Sequence, residues 1–162
     1  MKDEDTDLTI IGIGSSAGGL EAVRELVVTL PSDLPVSYVV VQHMSPHHKS
    51  LMTELVARQA DLIVEDVKDG TVPKQNVIYI TPPNTDVIYE DGCLKLCEPS
   101  PDPASPKPSV NRFLLSLADN HGAKSMAVIL SGTGSDGAGE GGLACEAGAG
   151  WGGIGWTGLA GC

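Results

Sequence analysis

Positive charge and cysteine are both scarce in this sequence of 162 residues. Only 10 lysines and arginines stand against 21 aspartates and glutamates, which gives a formal net charge of -11. A surface this acidic repels phosphate groups, so we exclude nucleic acid and anionic lipid as partners. The 4 cysteines are more typical of free thiols than of a disulfide framework, because 41% apolar residues can fill a core without covalent bridges.

Long hydrophobic runs are also missing. No apolar stretch approaches the roughly 20 residues that a membrane-spanning helix needs, and no secretory signal pattern follows Met1. We therefore expect a cytoplasmic protein, and the length predicts one folded domain. We interpret residues 1–7, which are rich in aspartate, as a solvated acidic tail.

Apolar runs alternate with segments of helical periodicity through the first half of the chain. The predicted strands lie at residues 8–13, 36–41 and 62–67, and the predicted helices at 19–30 and 49–58. Residues 39–41 are apolar on both faces of their strand, which is typical of a parallel sheet covered by helices. The pattern predicts an α/β fold with a doubly wound, mainly parallel sheet.

The second half begins with short apolar segments between turn residues, which predict antiparallel hairpins. These segments lie at residues 77–80, 86–89 and 94–96. The five prolines between residues 99 and 108 predict an extended surface connection. After them, Ser109 is expected to cap a helix at 110–119, Gly122 to end it, and a strand to follow at 126–130.

The GSSAG segment at residues 14–18 follows the first strand and precedes the first helix. In a G-x-S-x-G turn the glycines permit a sharp bend that presents the central serine above the strand end. Ser16 occupies that position, whereas Ser15 is at a variable position of the motif and is the weaker candidate nucleophile. The backbone amide of Ala17 is the natural first donor to a developing oxyanion.

Two further strand ends carry polar residues suited to the same chemistry. His43 follows the second strand, and Asp136 lies in the glycine-dense loop after the strand at 126–130. The carboxyl ends of parallel strands share one edge of a sheet, so Ser16, His43 and Asp136 could converge there as nucleophile, base and orienting carboxylate. Thr133, in the same loop, is a candidate second backbone donor.

A dinucleotide site is the main alternative at this turn. Gly12, Gly14 and Ala17 satisfy a loose G-x-G-x-x-G/A fingerprint, but the second strand ends in His43 rather than in the acidic residue that would hold a ribose. A non-catalytic module that binds a phosphate or a dinucleotide therefore stays open as a second hypothesis. His47 and His48 lack a neighbouring cysteine or carboxylate cluster, so we predict no metal and no cofactor.

Four motifs together resemble the catalytic domain of the CheB protein-glutamate methylesterases. They are IGIGSSAGG at 11–19, VQHM at 41–44, KPSV at 107–110 and LSGTGSDG at 130–137. The resemblance extends over about residues 8–148. The sequence is similar in particular to the versions of this domain that are joined to a CheR-type methyltransferase. It implies a doubly wound parallel sheet with an antiparallel hairpin, and hydrolysis of glutamate methyl esters on the cytoplasmic helices of chemoreceptors, with glutamine deamidation in some members.

Residue by residue, the resemblance implies that Ser16 is the nucleophile, His43 the base and Asp136 the orienting carboxylate. Beyond Gly148 the family pattern continues with a strand, a Gly-Met-Pro turn and a helix, none of which is found in residues 149–162. We interpret this segment as an atypical glycine-rich tail, and we expect residues 139–162 to add no strand to the sheet. An inactive, truncated methylesterase is a third hypothesis.

Overall fold

A computed structural model of the chain describes residues 7–15, 19–43, 51–102 and 107–131. In chain order its elements are β1 (Thr9–Ser15), α1 (Leu20–Val27), β2 (Val36–Gln42), α2 (Met52–Ala57), β3 (Ile63–Asp66), β4 (Val77–Ile80), β5 (Asp86–Glu90), β6 (Cys93–Cys97), α3 (Val110–His121), a 3₁₀ turn (Gly122–Lys124) and β7 (Ser125–Ser131). The predictions that concern the acidic residues 1–6, His47, His48 and the tail at 139–162 lie outside these residues.

Five strands form one sheet in the order β3-β4-β2-β1-β7. Every neighbouring pair in it runs parallel. The strands β5 and β6 form a separate antiparallel pair, with Val87 opposite Leu96. The predicted fold class, a mainly parallel α/β sheet with an antiparallel hairpin, is therefore confirmed.

The expected arrangement of residues 77–80 is wrong. These residues form β4, which pairs parallel with both β2 and β3 and does not join a hairpin. All four of its residues are buried. A four-residue apolar run is too short for its periodicity to separate a covered parallel strand from a hairpin strand, and only the pairing partners settle the question.

Each face of the sheet packs against its own layer. Side chains of α1 and α2 bury one face, where Val23 and Val56 are fully buried with Ile13 and Val40 of the sheet. The helix α3 and the hairpin cover the opposite face, where Phe113, Leu94 and Val39 are fully buried. The sheet is thus covered on both sides, as a doubly wound fold requires.

Two tyrosines lie within the sheet. Burial raises the pKa of Tyr38, and burial is also the main reason that the pKa of Tyr79 is raised. The Tyr79 hydroxyl accepts a hydrogen bond from the backbone N–H of Lys74 at 3.2 Å. Both phenols therefore stay uncharged at neutral pH, and the central strands carry no buried charge at these positions.

The helix α3 follows its predicted course. The Ser109 hydroxyl accepts a hydrogen bond from the Arg112 backbone N–H at 3.3 Å, so the predicted cap is confirmed. The helix ends at His121, two residues beyond the predicted bound of 119, and Gly122, with φ of 57°, follows it as the predicted exit. On β6, Cys93 and Cys97 are free thiols, as expected for these two cysteines.

Shortening a buried side chain of α3 tests how this helix packs on the sheet. Phe113 is fully buried, and we expect Phe113→Ala to lower the free energy of unfolding by about 3–5 kcal/mol. Leu115 on the same helix is 48% exposed, so Leu115→Ala is a matched control that should change this free energy much less. Urea unfolding of both variants measures the difference, and equal losses would contradict the assignment of the buried face.

Candidate active site

The strands β2, β1 and β7 are adjacent in the sheet, and their carboxyl ends lie at one edge. At that edge Ser15 is in register with Gln42 of β2 and with Ser131 of β7. The backbone N–H of His43 donates to the carbonyl oxygen of Ser15 at 3.0 Å. The chain segments that leave β1 and β2 therefore start side by side.

The predicted site residues are described only in part. His43 is half-buried and is the first residue after β2, as the sequence indicated. Ser16 directly follows the last residue of β1, but Ser16 and Ala17 lie outside the described residues, as do Thr133 and Asp136. The structure brings the Ser15 carbonyl and His43 together, and the complete Ser16-His43-Asp136 triad stays a prediction.

Ser15, the rival nucleophile, ends β1 and is only 2% exposed. A nucleophile has to reach the carbonyl carbon of a bound substrate, and a serine packed into the sheet is poorly placed for that. The burial of Ser15 therefore counts in favour of Ser16.

The helix α1 begins at Leu20, immediately beyond the predicted nucleophile turn. The Gly19 carbonyl oxygen accepts the first helical hydrogen bond from the N–H of Val23 at 3.0 Å. Gly19, the N-cap residue, has no side chain that could cap this helix end. The first backbone N–H groups of a helix have no partner within the helix, and together with the helix dipole they favour negative charge at such a terminus, which suits the oxyanion of an acyl-transfer reaction.

Gly12 and Gly14 lie inside β1, where α3 packs directly on the strand. A Cβ atom at Gly12 would come within 2.6 Å of Leu114 Cδ2. At Gly14 a Cβ would lie 2.5 Å from Val110 Cγ1 and 2.9 Å from Ile129 Cδ1. The close approach of the helix accounts for both glycines without a pyrophosphate, so no observation in the described residues favours the dinucleotide hypothesis.

A buried carboxylate that the sequence analysis missed lies at the start of the hairpin, beside the first turn of α3. Asp86, the first residue of β5, is 1% exposed and accepts hydrogen bonds from the Ser109 backbone N–H and from the guanidinium of Arg112. Ser109 and Arg112 lie 23 and 26 positions after Asp86 in the sequence. A separation of that size leaves no local sequence pattern that would have revealed them.

Two buried oxygen atoms close to the strand ends make no hydrogen bond to the described part of the chain. They are Gln42 Oε1, at the end of β2, and Thr81 Oγ1, directly after β4. The Thr81 N–H donates to the Val40 carbonyl at 3.0 Å, which fixes its backbone beside β2. Ser37 Oγ, near the start of β2, and Asn76 Oδ1, just before β4, likewise have no partner in the described part of the chain, so such atoms do not by themselves mark the active site.

Within the ranges that the structure covers, no three His, Cys, Asp or Glu residues are grouped so that they could hold a metal ion. None of the helices in those ranges is long and apolar enough to cross a membrane. The described part of the site consists of the carboxyl ends of β2, β1 and β7, His43, and the first turns of α1 and α3.

Comparison with known proteins identifies the family. The model of the CheB methylesterase family matches residues 11–149. The chain is also similar to the crystal structure of the Thermotoga maritima CheB methylesterase catalytic domain, with a TM-score of 0.70 and 30% sequence identity, covering 81% of this chain and 71% of that one. This chain therefore belongs to the CheB methylesterase family.

Curated relatives agree with this assignment. The protein-glutamate methylesterase/protein-glutamine glutaminase of Geobacillus kaustophilus is 34% identical over 131 residues, which is 79% of this chain and 38% of the relative. The protein of that name from Bacillus subtilis is 33% identical, over 82% of this chain and 38% of its own length. The chain thus spans well under half the length of these curated relatives.

The contact between β1 and α3 can be tested by adding one methyl group. Gly14→Ala should lower the free energy of unfolding by about 1–3 kcal/mol, because the new Cβ overlaps Val110. Val110→Ala removes the closest overlapping atom and leaves the contact with Ile129, so the double variant should lose less stability than the sum of the two single losses. A thermodynamic cycle from urea unfolding measures this coupling, and strictly additive losses would show that the two residues do not meet.

Proposed function

We propose that this chain is a protein-glutamate methylesterase that uses Ser16, His43 and Asp136. The observation that best supports the proposal is the hydrogen bond from the His43 N–H to the Ser15 carbonyl. It joins the ends of the adjacent parallel strands β1 and β2, so the last residue of β1 lies beside the backbone of His43. Membership of the CheB methylesterase family supports the same activity.

The first half of the reaction forms an acyl-enzyme. His43 takes the proton of the Ser16 hydroxyl as Ser16 Oγ attacks the ester carbonyl of the methylated glutamate. Asp136 orients the imidazole and stabilises its protonated form. Backbone N–H groups of Ala17 and Thr133 donate to the oxyanion, and the intermediate collapses when His43 returns the proton to the departing methanol.

The second half releases the product. His43 takes a proton from a water molecule as that water attacks the acyl-enzyme carbonyl. It returns this proton to Ser16 Oγ as the acyl bond breaks, which frees the glutamate side chain. A glutamine side chain forms the same acyl-enzyme with ammonia as the leaving group. We therefore include glutamine deamidation in the proposal, and the double name of the Bacillus subtilis relative supports it.

We propose methylated cytoplasmic helices of chemoreceptors as the substrate, and hence the cytoplasm as the place of reaction. This part rests on the four motifs that resemble the CheB catalytic domain. A CheR-type methyltransferase is the partner proposed from the same resemblance, since it would install the ester that this chain removes. The net charge of -11 supports the exclusion of nucleic acid as a partner.

Methanol release from a methylated chemoreceptor preparation tests the activity. Ser16→Ala should lower the rate by at least ~10⁴-fold, because no other group replaces the nucleophile. Ser15→Ala is the matched control, one residue away and of the same chemistry, and it should keep most of the activity of the wild-type chain. Thermal unfolding of both variants confirms that each one is folded.

Two outcomes would contradict the proposal. Loss of activity in Ser15→Ala with retention in Ser16→Ala would reverse the assignment of the nucleophile. No methanol from a wild-type chain that unfolds cooperatively would favour the inactive, truncated methylesterase, and saturable binding of a nucleotide by that chain would favour the binding module.

A further inference from the structure

Asp86 connects the hairpin to the first turn of α3. Its Oδ1 atom accepts the backbone N–H of Ser109 at 2.8 Å, and its Oδ2 atom accepts Arg112 Nη1 at 3.1 Å. Asp86 begins β5 and is 1% exposed, whereas Ser109 is the N-cap of α3. One buried carboxylate therefore fixes both the cap residue and a side chain one turn into the helix.

Arg112 extends this connection to the second strand of the hairpin. The same Nη1 atom donates to the carbonyl oxygen of Glu98, at 3.1 Å, just after β6. A buried carboxylate is costly unless it is paired and hydrogen-bonded, and Arg112 supplies the opposite charge. Removing the charge of Asp86 would leave the first turn of α3 with weaker attachment to both hairpin strands.

The first turn of α3 in turn contacts the strand that leads to the predicted nucleophile. Val110 is 2% exposed and packs so closely on Gly14 that a Cβ there would lie 2.5 Å from Val110 Cγ1. Gly14 is two residues before Ser16, and the carbonyl of the intervening Ser15 holds the His43 N–H. An unbroken series of contacts thus runs from Asp86 to the ends of β1 and β2.

We infer that Asp86 is a positioning residue for the active site. Its carboxylate holds the first turn of α3 against Gly14 and thereby fixes the end of β1 and the backbone of His43. This inference rests on the proposed methylesterase function, because it assigns Asp86 a role in that reaction. Asp86 itself touches no reacting atom in the proposed mechanism.

The test uses Asp86→Asn, which preserves shape but removes charge. The asparagine oxygen can still accept the Ser109 N–H, whereas its amide N–H groups would face the guanidinium donors of Arg112. We expect kcat for methanol release to fall about 10- to 100-fold, as for a small misplacement of catalytic groups, with little change in KM.

Leu94→Ala is the control, because Leu94 is fully buried in the same hairpin and takes no part in this hydrogen-bond network. It should lower stability and leave kcat unchanged below its unfolding temperature.

Amide hydrogen exchange provides a readout that does not need activity. In Asp86→Asn the His43 N–H, bonded to Ser15, and the Phe113 N–H, bonded to Ser109 at 3.4 Å, should both exchange faster than in the wild type. The Thr81 N–H, bonded to Val40 at 3.0 Å, should keep its rate. Faster exchange at Phe113 alone, with unchanged kcat, would show that Asp86 only caps the helix and would overturn the inference.

The two proposals fail in different ways. A wild-type chain that releases no methanol, but whose His43 exchange responds to Asp86→Asn, would overturn the methylesterase proposal and leave only the structural link, in which Asp86 fixes the backbone of His43. If Asp86→Asn does not fold, Arg112→Met carries the test, because it keeps an unbranched side chain but removes the donor to both Asp86 and Glu98. Wild-type kcat and wild-type His43 exchange in folded Arg112→Met would then overturn the inference.

Discussion

The packing of α3 on the glycines of β1 is the contact on which the rest of the site depends. Any side chain at Gly12 or Gly14 would overlap atoms of the helix, at 2.6 Å from Leu114 and 2.5 Å from Val110 respectively. The helix can therefore lie directly on the strand, which brings the start of α3 to the carboxyl edge of the sheet. Because protein interiors are close-packed, a shift of α3 is transmitted to the end of β1 and not absorbed by empty space.

That edge is where we propose that acyl transfer takes place. Parallel pairing puts the ends of β2, β1 and β7 beside one another, and the His43 N–H binds the Ser15 carbonyl across two of them. The start of α1 adds backbone donors and a favourable dipole for negative charge. Asp86 anchors the start of α3 from the hairpin side.

The sequence was informative wherever a local pattern determines the structure. Apolar runs predicted the strands that precede Ser16 and His43, and a serine at the start of a helical pattern predicted the Ser109 cap. The arrangement of β4 was not predictable from four apolar residues, because its partners β2 and β3 are distant in the chain. Asp86 escaped detection for a similar reason, since its burial and its bonds arise only when the hairpin packs on α3. Likewise, the sequence of the glycine motif at the end of β1 fitted both a nucleophile turn and a dinucleotide fingerprint. The packing of α3 on β1 gives a reason for Gly12 and Gly14 that requires no bound dinucleotide.

The central claim is that Ser16 is a nucleophile activated by His43. Covalent labelling by a serine-reactive phosphonyl fluoride, with the modified residue located by peptide fragmentation, tests it most directly and requires no receptor. The account predicts a single adduct on Ser16 that forms in the wild-type chain and is lost or strongly slowed in a folded His43→Ala variant. An adduct on Ser15, or labelling of Ser16 at the same rate without the imidazole, would contradict it.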